Sequence, residues 1–390
     1  MSKTKKVVFF AILLLLVGAF LEVASYLVGT YLAKNRGVLY IPQLLEGYDV
    51  YLSQRDPLLG WPAPAEFGGN EYDETGSRII PAFPNGPPCV SLYGDSFTYG
   101  TEVDHDHAWS NVLSRLLDCR AANYGVVSYG TDQAYLRFKQ NSNDEANLVI
   151  LSHFSAGIYR NASQFRTLTV GVPQFDLKPR FILDNQGQLQ LIPLPNLTKN
   201  EYAALVENPA SYLHYEYFVP GGPSGLQTFK FPYTWSVIQS LNHERMRSNL
   251  IGKPWYADFY LPGHPSQALP ITVKIIQEFQ REAQASDKTP LVLILPARID
   301  LEYFQDNGYW VYQNLIDELK KQGIEPLNIG EGMVNYLGTR DACELFVPHN
   351  CSGHLNEEGN EVLAGLVYNY LKDNNLLPAP SPAPVEAGSR

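Results

Sequence analysis

Apolar positions recur along the chain in two alternating patterns. Short unbroken runs bounded by turn residues read as buried strands: Cys89–Gly94, Arg120–Val126, Asn147–Leu151 and Leu291–Leu295, with a shorter run near Pro326–Ile329. Between them, apolar residues fall at helical spacing around Ala108–Leu117, Gln133–Gln140, Ile271–Gln284, Tyr309–Lys321 and Glu357–Lys372. Strands alternating with helices in this way predict an α/β architecture, a parallel five-stranded sheet covered on both faces. One long interruption follows the third strand. This insertion, about residues 155–269, contains a hairpin signal in which Phe181–Leu183 and Leu189–Ile192 flank Asp184-Asn185-Gln186-Gly187. The rest of it is rich in Pro, Gly and aromatic residues, and suits either a substrate-shaping lid or a structural elaboration.

The N-terminus follows a different pattern. Lys3, Lys5 and Lys6 precede an apolar run from Val7 to Leu21, and the stretch stays mostly apolar through Ala33, before Lys34 and Arg36. Spanning a bilayer takes about 20 residues, which this stretch supplies. Its length favours an uncleaved signal-anchor over a cleaved signal peptide, and the lysines favour a cytoplasmic N-terminus with the remaining chain outside. Glu22 interrupts the run and reads as an interfacial residue reaching lipid headgroups, or as a contact to a membrane partner. The organisation expected is a membrane segment at 1–34, an irregular lead-in at 35–88, the sheet domain at 89–374, and a disordered Pro/Ala-rich tail at 375–390.

Charge and cysteines narrow the function. The 390-residue chain carries a net charge of −11, which argues against nucleic acid as a partner. An oxidising compartment permits disulfides, and the positions of the four cysteines favour Cys89 with Cys119 and Cys343 with Cys351, among the three pairings that four cysteines allow. No cysteine or histidine cluster has zinc spacing, so no metal and no cofactor is expected. Asp104, His105, Asp106 and His107 read as a hydrophilic loop capping the helix that follows.

The chemistry-bearing residues sit at the two ends of the sheet region. Gly94-Asp95-Ser96-Phe97-Thr98-Tyr99-Gly100 follows the first strand and sets Ser96 at a strand's carboxyl end, where open α/β sheets bind ligands. Serine needs a base to become a nucleophile. His354 is the candidate: it lies in Gly353-His354-Leu355-Asn356-Glu357-Glu358-Gly359-Asn360, on a loop just before the last helix. Asn356 is that helix's expected N-cap.

Together these two motifs resemble those of the SGNH/GDSL hydrolase superfamily, and more closely its membrane-anchored members, over roughly residues 89–372. The resemblance implies a flavodoxin-like three-layer sandwich and acyl-ester chemistry, hydrolysis or transfer, with Ser96 as nucleophile and His354 as general base. It implies an oxyanion site built from the backbone of Ser96 and of the second block, where Ser128 stands at a position the family gives to glycine and Gly130 lies nearby. The family's third-block asparagine is missing from Ser155-Ala156-Gly157-Ile158, and Asn161, several residues later, is the candidate replacement. Cys351 occupies the place of the family's acidic residue, leaving Asp341, Glu344 or a backbone carbonyl to orient His354. Arg160 suits an acidic or sugar substrate, or a structural salt bridge. Extracytoplasmic ester chemistry on cell-surface glycans or lipids is the function expected; a catalytically weak binding scaffold of the cell envelope is the alternative.

Overall fold

The apolar runs of the sequence pair side by side in one sheet. The computed structural model describes residues 2–42, 47–64, 71–170, 177–347, 351 and 353–378. The chain opens with α1 (Lys3–Arg36), β1 (Leu39–Tyr40) and α2 (Tyr48–Ser53). The sheet begins with β2 (Val90–Tyr93), α3 (Ser96–Tyr99), α4 (Trp109–Leu117), β3 (Ala121–Asn123), α5 (Thr131–Gln140) and β4 (Leu148–Phe154). The insertion contributes α6 (Thr167–Val170), the hairpin β5 (Arg180–Leu183) and β6 (Leu189–Ile192), α7 (Lys199–Leu205), β7 (Gln227–Thr228), α8 (Tyr233–Ser240) and α9 (Glu244–Leu250). The sheet resumes with α10 (Ala268–Ala285), β8 (Thr289–Leu295), α11 (Arg298–Asn307), α12 (Gln313–Lys321), β9 (Leu327–Asn328), α13 (Ile329–Leu337) and α14 (Glu357–Asp373).

The sheet order is β3-β2-β4-β8-β9, and every pairing is parallel. Val90, Leu92, Val149, Ile150, Leu293 and Ile294 are fully buried, because α5, α10 and α12 pack together as one layer and α4, α13 and α14 as another. Parallel strands covered on both faces read as continuous apolar runs for this reason. The chain crosses from β2 to β3 on one side and then to β4 on the other. The crevice beyond the carboxyl end of β2 is therefore the topological switch point, where such sheets bind ligands.

Two elements differ from the sequence pattern. The run Arg120–Val126 forms a strand only over β3, because the Asn123 side chain accepts the Gly125 N–H at 3.0 Å and turns the chain. The helix expected over Tyr309–Lys321 is α12 alone, starting at Gln313, and α11 precedes it; Gly308 ends α11 at a φ of +76°.

The described residues form two compact units that cut across the linear boundaries. One comprises residues 1–53, 163–177 and 195–255; the other comprises 54–162, 178–194 and 256–390. The insertion is thus shared, its hairpin going with the sheet and its flanks with the N-terminal segment. The expected disordered tail falls largely outside the described residues, from 379 onward.

In the first unit, β1 pairs with β7, and Ala33, Leu39 and Phe229 form a small core joined by Leu32, Ile41, Tyr233 and Val237. Helix α1 is the one described helix long and apolar enough to cross a membrane. Glu22 has partners within its own chain. Its Oε2 accepts the Tyr233 N–H at 2.6 Å and its Oε1 the Thr234 N–H at 3.3 Å. Pro232 holds the N-cap position of α8 and makes no side-chain cap. Glu22 satisfies those N–H groups from more than two hundred residues away.

Candidate active site

The Ser96 turn is built by side chain–backbone bonds. Asp95 caps α3 through its Oδ1, which accepts the Phe97 N–H at 3.0 Å. A Cβ at Gly94 would lie 2.0 Å from Thr98 Oγ1, so only glycine fits between β2 and α3. Helix α3 is a single turn, and Ser96 is its first residue, where backbone N–H groups lack intrahelical acceptors.

His354 comes to this turn from the other end of the sheet domain. Its Nε2 is 2.8 Å from Ser96 Oγ. Asn356 caps α14 by accepting the Gly359 N–H at 2.9 Å. Asn360 then ties α14 to α4: its Oδ1 accepts the Trp109 N–H at 3.1 Å, and its Nδ2 donates to the Leu355 and Asn356 carbonyls. Buried Trp109 donates its indole N–H to Thr98 O at 2.9 Å, closing the link back to α3. Phe97 packs between the Phe154 ring (4.1 Å) and the His354 ring (4.9 Å).

The carboxylate beside His354 is Glu102, which sequence reasoning did not single out for this role. Its Oε2 accepts the His354 backbone N–H at 3.0 Å and lies 3.4 Å from Nδ1. The second contact is long, and Nδ1 makes no well-formed hydrogen bond. Apo catalytic contacts often tighten only with substrate. The proposed orienters lie elsewhere in the network: Asp341 caps the Cys343 N–H, and Glu344 pairs with Arg340. Burial lowers the His354 pKa from its ordinary value, while the charges of Asp95 and Glu102 oppose that shift. Burial raises the Asp95 pKa, countered first by Arg160.

The loop carrying Glu102 is held by a buried arginine from the lead-in. Arg78 donates to the carbonyls of Tyr99, Gly100 and Val103, and its Nε donates to His105 Nδ1 at 3.1 Å. Glu102 itself sits at a φ of +74°, a conformation the loop must enforce. Arg78→Ala leaves those carbonyls unpaired, and we expect it to destabilise the fold by about 3 kcal/mol or more, read as a drop in the urea midpoint. A loss under about 1 kcal/mol contradicts this account.

The oxyanion candidates separate clearly. Ser128 has a φ of +74°, which explains why a glycine suits this position. Its backbone N–H and that of Ser96 remain candidates. Gly130 does not: its N–H donates to Gln133 Oε1 at 3.3 Å in the capping of α5. Asn161 does not either. The 3-10 helix Ser155–Ala162 turns it into the core, where its Nδ2 donates to Thr272 Oγ1 at 2.7 Å and its Oδ1 accepts the Asp132 N–H. Arg160 stands closer to the dyad. Its Nη1 donates to Tyr129 O at 2.8 Å and pairs with Asp95 at 3.3 Å, and its Nε is buried without a partner.

Other cysteines and histidines are bonded elsewhere. Cys89–Cys119 and Cys343–Cys351 are both disulfide-bonded. His153 bonds Thr131 and Tyr260, and burial pushes its pKa down to about 3. His107 pairs with Asp104 at 2.7 Å at the foot of α4. Among the described residues, no group of three His, Cys, Asp or Glu side chains is arranged to hold a metal.

No family model and no curated protein matches the chain. Solved structures do. One is a putative lipolytic protein of the G-D-S-L family from Desulfitobacterium hafniense DCB-2, at 12% identity and a TM-score of 0.34, covering 72% of this chain and 97% of the other. A G-D-S-L family member from Veillonella parvula DSM 2008 matches at 11% identity and a TM-score of 0.33, covering 73% of this chain and 97% of its own. A two-domain esterase active on acetylated mannans matches at 10% identity and a TM-score of 0.36, covering 77% of this chain and 52% of its own.

Proposed function

We propose that the chain is an SGNH/GDSL-type serine hydrolase of ester bonds, anchored in a membrane by α1 with its catalytic unit extracytoplasmic. One observation carries the reading: Ser96 Oγ and His354 Nε2 stand 2.8 Å apart, although 258 residues separate them in sequence. Nε2 takes the Oγ proton as Oγ bonds to the ester carbonyl carbon. The carbonyl oxygen becomes an oxyanion, held by the N–H groups of Ser96 and Ser128. Imidazolium then returns the proton to the leaving oxygen as the ester C–O bond breaks. Water, or a sugar hydroxyl in acyl transfer, attacks the acyl-serine by the same proton route. Glu102 orients His354 and balances its positive charge. The two disulfides and the lysines before α1 support the extracytoplasmic placement. O-acyl groups of cell-surface glycans or lipids are the substrate class available there.

The test is labelling of the full-length protein with a fluorophosphonate. Wild type is labelled and Ser96→Ala is not; turnover of short over long p-nitrophenyl esters then assigns an acetyl-type acyl group. Absence of Ser96-dependent labelling rejects the enzyme and leaves a binding scaffold.

A further inference from the structure

Helix α8 and its C-cap Leu241 leave apolar residues exposed. Thr234, Ile238 and Leu241 stand at i, i+4 and i+7 on one face, with Trp235 adjoining. Thr234 hydrogen-bonds Ser25 of α1 at 3.0 Å, so this face adjoins α1. Beyond that contact Trp235 is 58% exposed, Ile238 49% and Leu241 53%, and Phe231 just before the helix is 70% exposed. The opposite face is buried through Ser236 and Ser240, with Tyr233 and Val237 against the Ala33–Leu39–Phe229 core. Contiguous exposed apolar surface of this kind marks an interaction site.

The depth at which α8 is held identifies its occupant. A helix rises about 1.5 Å per residue, so Glu22 lies roughly 22 Å beyond Val7 along α1. The hydrocarbon of a bilayer is about 30 Å thick, which puts its outer edge near Tyr26 if Val7 marks the inner one. Helix α8 is fixed to α1 at this level: Glu22 takes its first N–H groups, Ser25 bonds Thr234, and the Tyr26 ring lies 5.0 Å from that of Tyr233. A carboxylate near this boundary is costly when unpaired. Here it receives two N–H groups at a helix N-terminus. On α1 at the same level, Val23 and Leu27 are also exposed.

We propose that Phe231, Trp235, Ile238 and Leu241 insert into outer-leaflet lipid at the boundary between headgroups and acyl chains, making α8 an interfacial helix docked on the membrane-spanning α1. An aromatic and aliphatic face suits that boundary. Helix α8 itself has no charged residue, so its own contribution to the attraction is apolar. The proposal rests on α1 being a membrane span, and its test separates the two.

Full-length wild type and Trp235→Phe are reconstituted into phosphatidylcholine vesicles whose acyl chains do or do not carry bromine. Bromine quenches only tryptophans that reach the acyl region. We expect brominated lipid to quench wild-type emission and the quenching to fall several-fold in Trp235→Phe, with far-UV circular dichroism and thermal midpoint unchanged. Equal quenching in the two proteins, or none in wild type that floats with the vesicles, overturns the proposal and points to a protein partner on α8. Protein that fails to float overturns the membrane reading of α1, and this proposal with it.

Discussion

Ser96→Ala lowers ester turnover by roughly 10⁴–10⁶-fold, and His354→Ala lowers it by a similar factor. The double variant falls no more than about tenfold below either single one. The reason is geometric. In the proposed mechanism the 2.8 Å contact makes nucleophile and base one device: without the base the serine hydroxyl stays protonated, and without the hydroxyl the base has no proton to take. Each decade of rate is about 1.36 kcal/mol of barrier, so the pair is asked to supply roughly 5–8 kcal/mol. The residual rate measures binding and backbone donors alone. Single-turnover rates on a p-nitrophenyl ester check the cycle. Factors that multiply in the double variant would mean that Ser96 and His354 act separately, against the dyad.

Glu102→Gln is expected to cut the maximal rate by roughly 10–10³-fold and to move the acid limb of the pH profile to lower pH. Removing the charge of a buried triad acid costs about 10⁴. Glu102 is more weakly placed, with a side chain 42% exposed and 3.4 Å from Nδ1, so the loss is smaller. The pH shift has a definite sign. In the proposed mechanism neutral His354 is the base; burial lowers its pKa from the ordinary histidine value, and the charges of Asp95 and Glu102 hold it up in part. Deleting the Glu102 charge lowers that pKa further, so neutral imidazole persists to lower pH. Glutamine keeps an acceptor for the His354 backbone N–H, which protects the loop. The measurement is kcat/KM from pH 4 to 8 for both proteins. An unmoved acid limb with an unchanged plateau would remove Glu102 from the site.

The sheet and the pairing of Ser96 with His354 were legible because each leaves a local trace. Continuous apolar runs mark strands covered on both faces, and Ser96 and His354 sit inside short motifs tied to a strand end and a helix start. Glu102 lies in the Gly100-Thr101-Glu102-Val103 continuation of the first motif, a pattern that does not pair it with His354. It follows Ser96 in a polar loop, and its placement depends on Arg78, a buried lead-in residue bonding three carbonyls of that loop. Gly130 and Asn161 were misread for a related reason. Their donors were counted as free when capping and core partners already held them, although the Gly130-x-x-Gln133 spacing is itself a capping pattern. Glu22 shows the limit most plainly: its partners in α8 are 211 and 212 residues away, and no window of sequence contains both.

The 258-residue gap between Ser96 and His354 also has a consequence in time. At about 5–20 residues per second, translation reaches His354 roughly 13–50 s after Ser96. Asn360, which fastens the last helix beside Trp109, comes later still. Until His354 is made, the nascent polypeptide carries Ser96 without its histidine partner. In the proposed mechanism, ester chemistry begins only as α14 docks and brings His354 to Ser96.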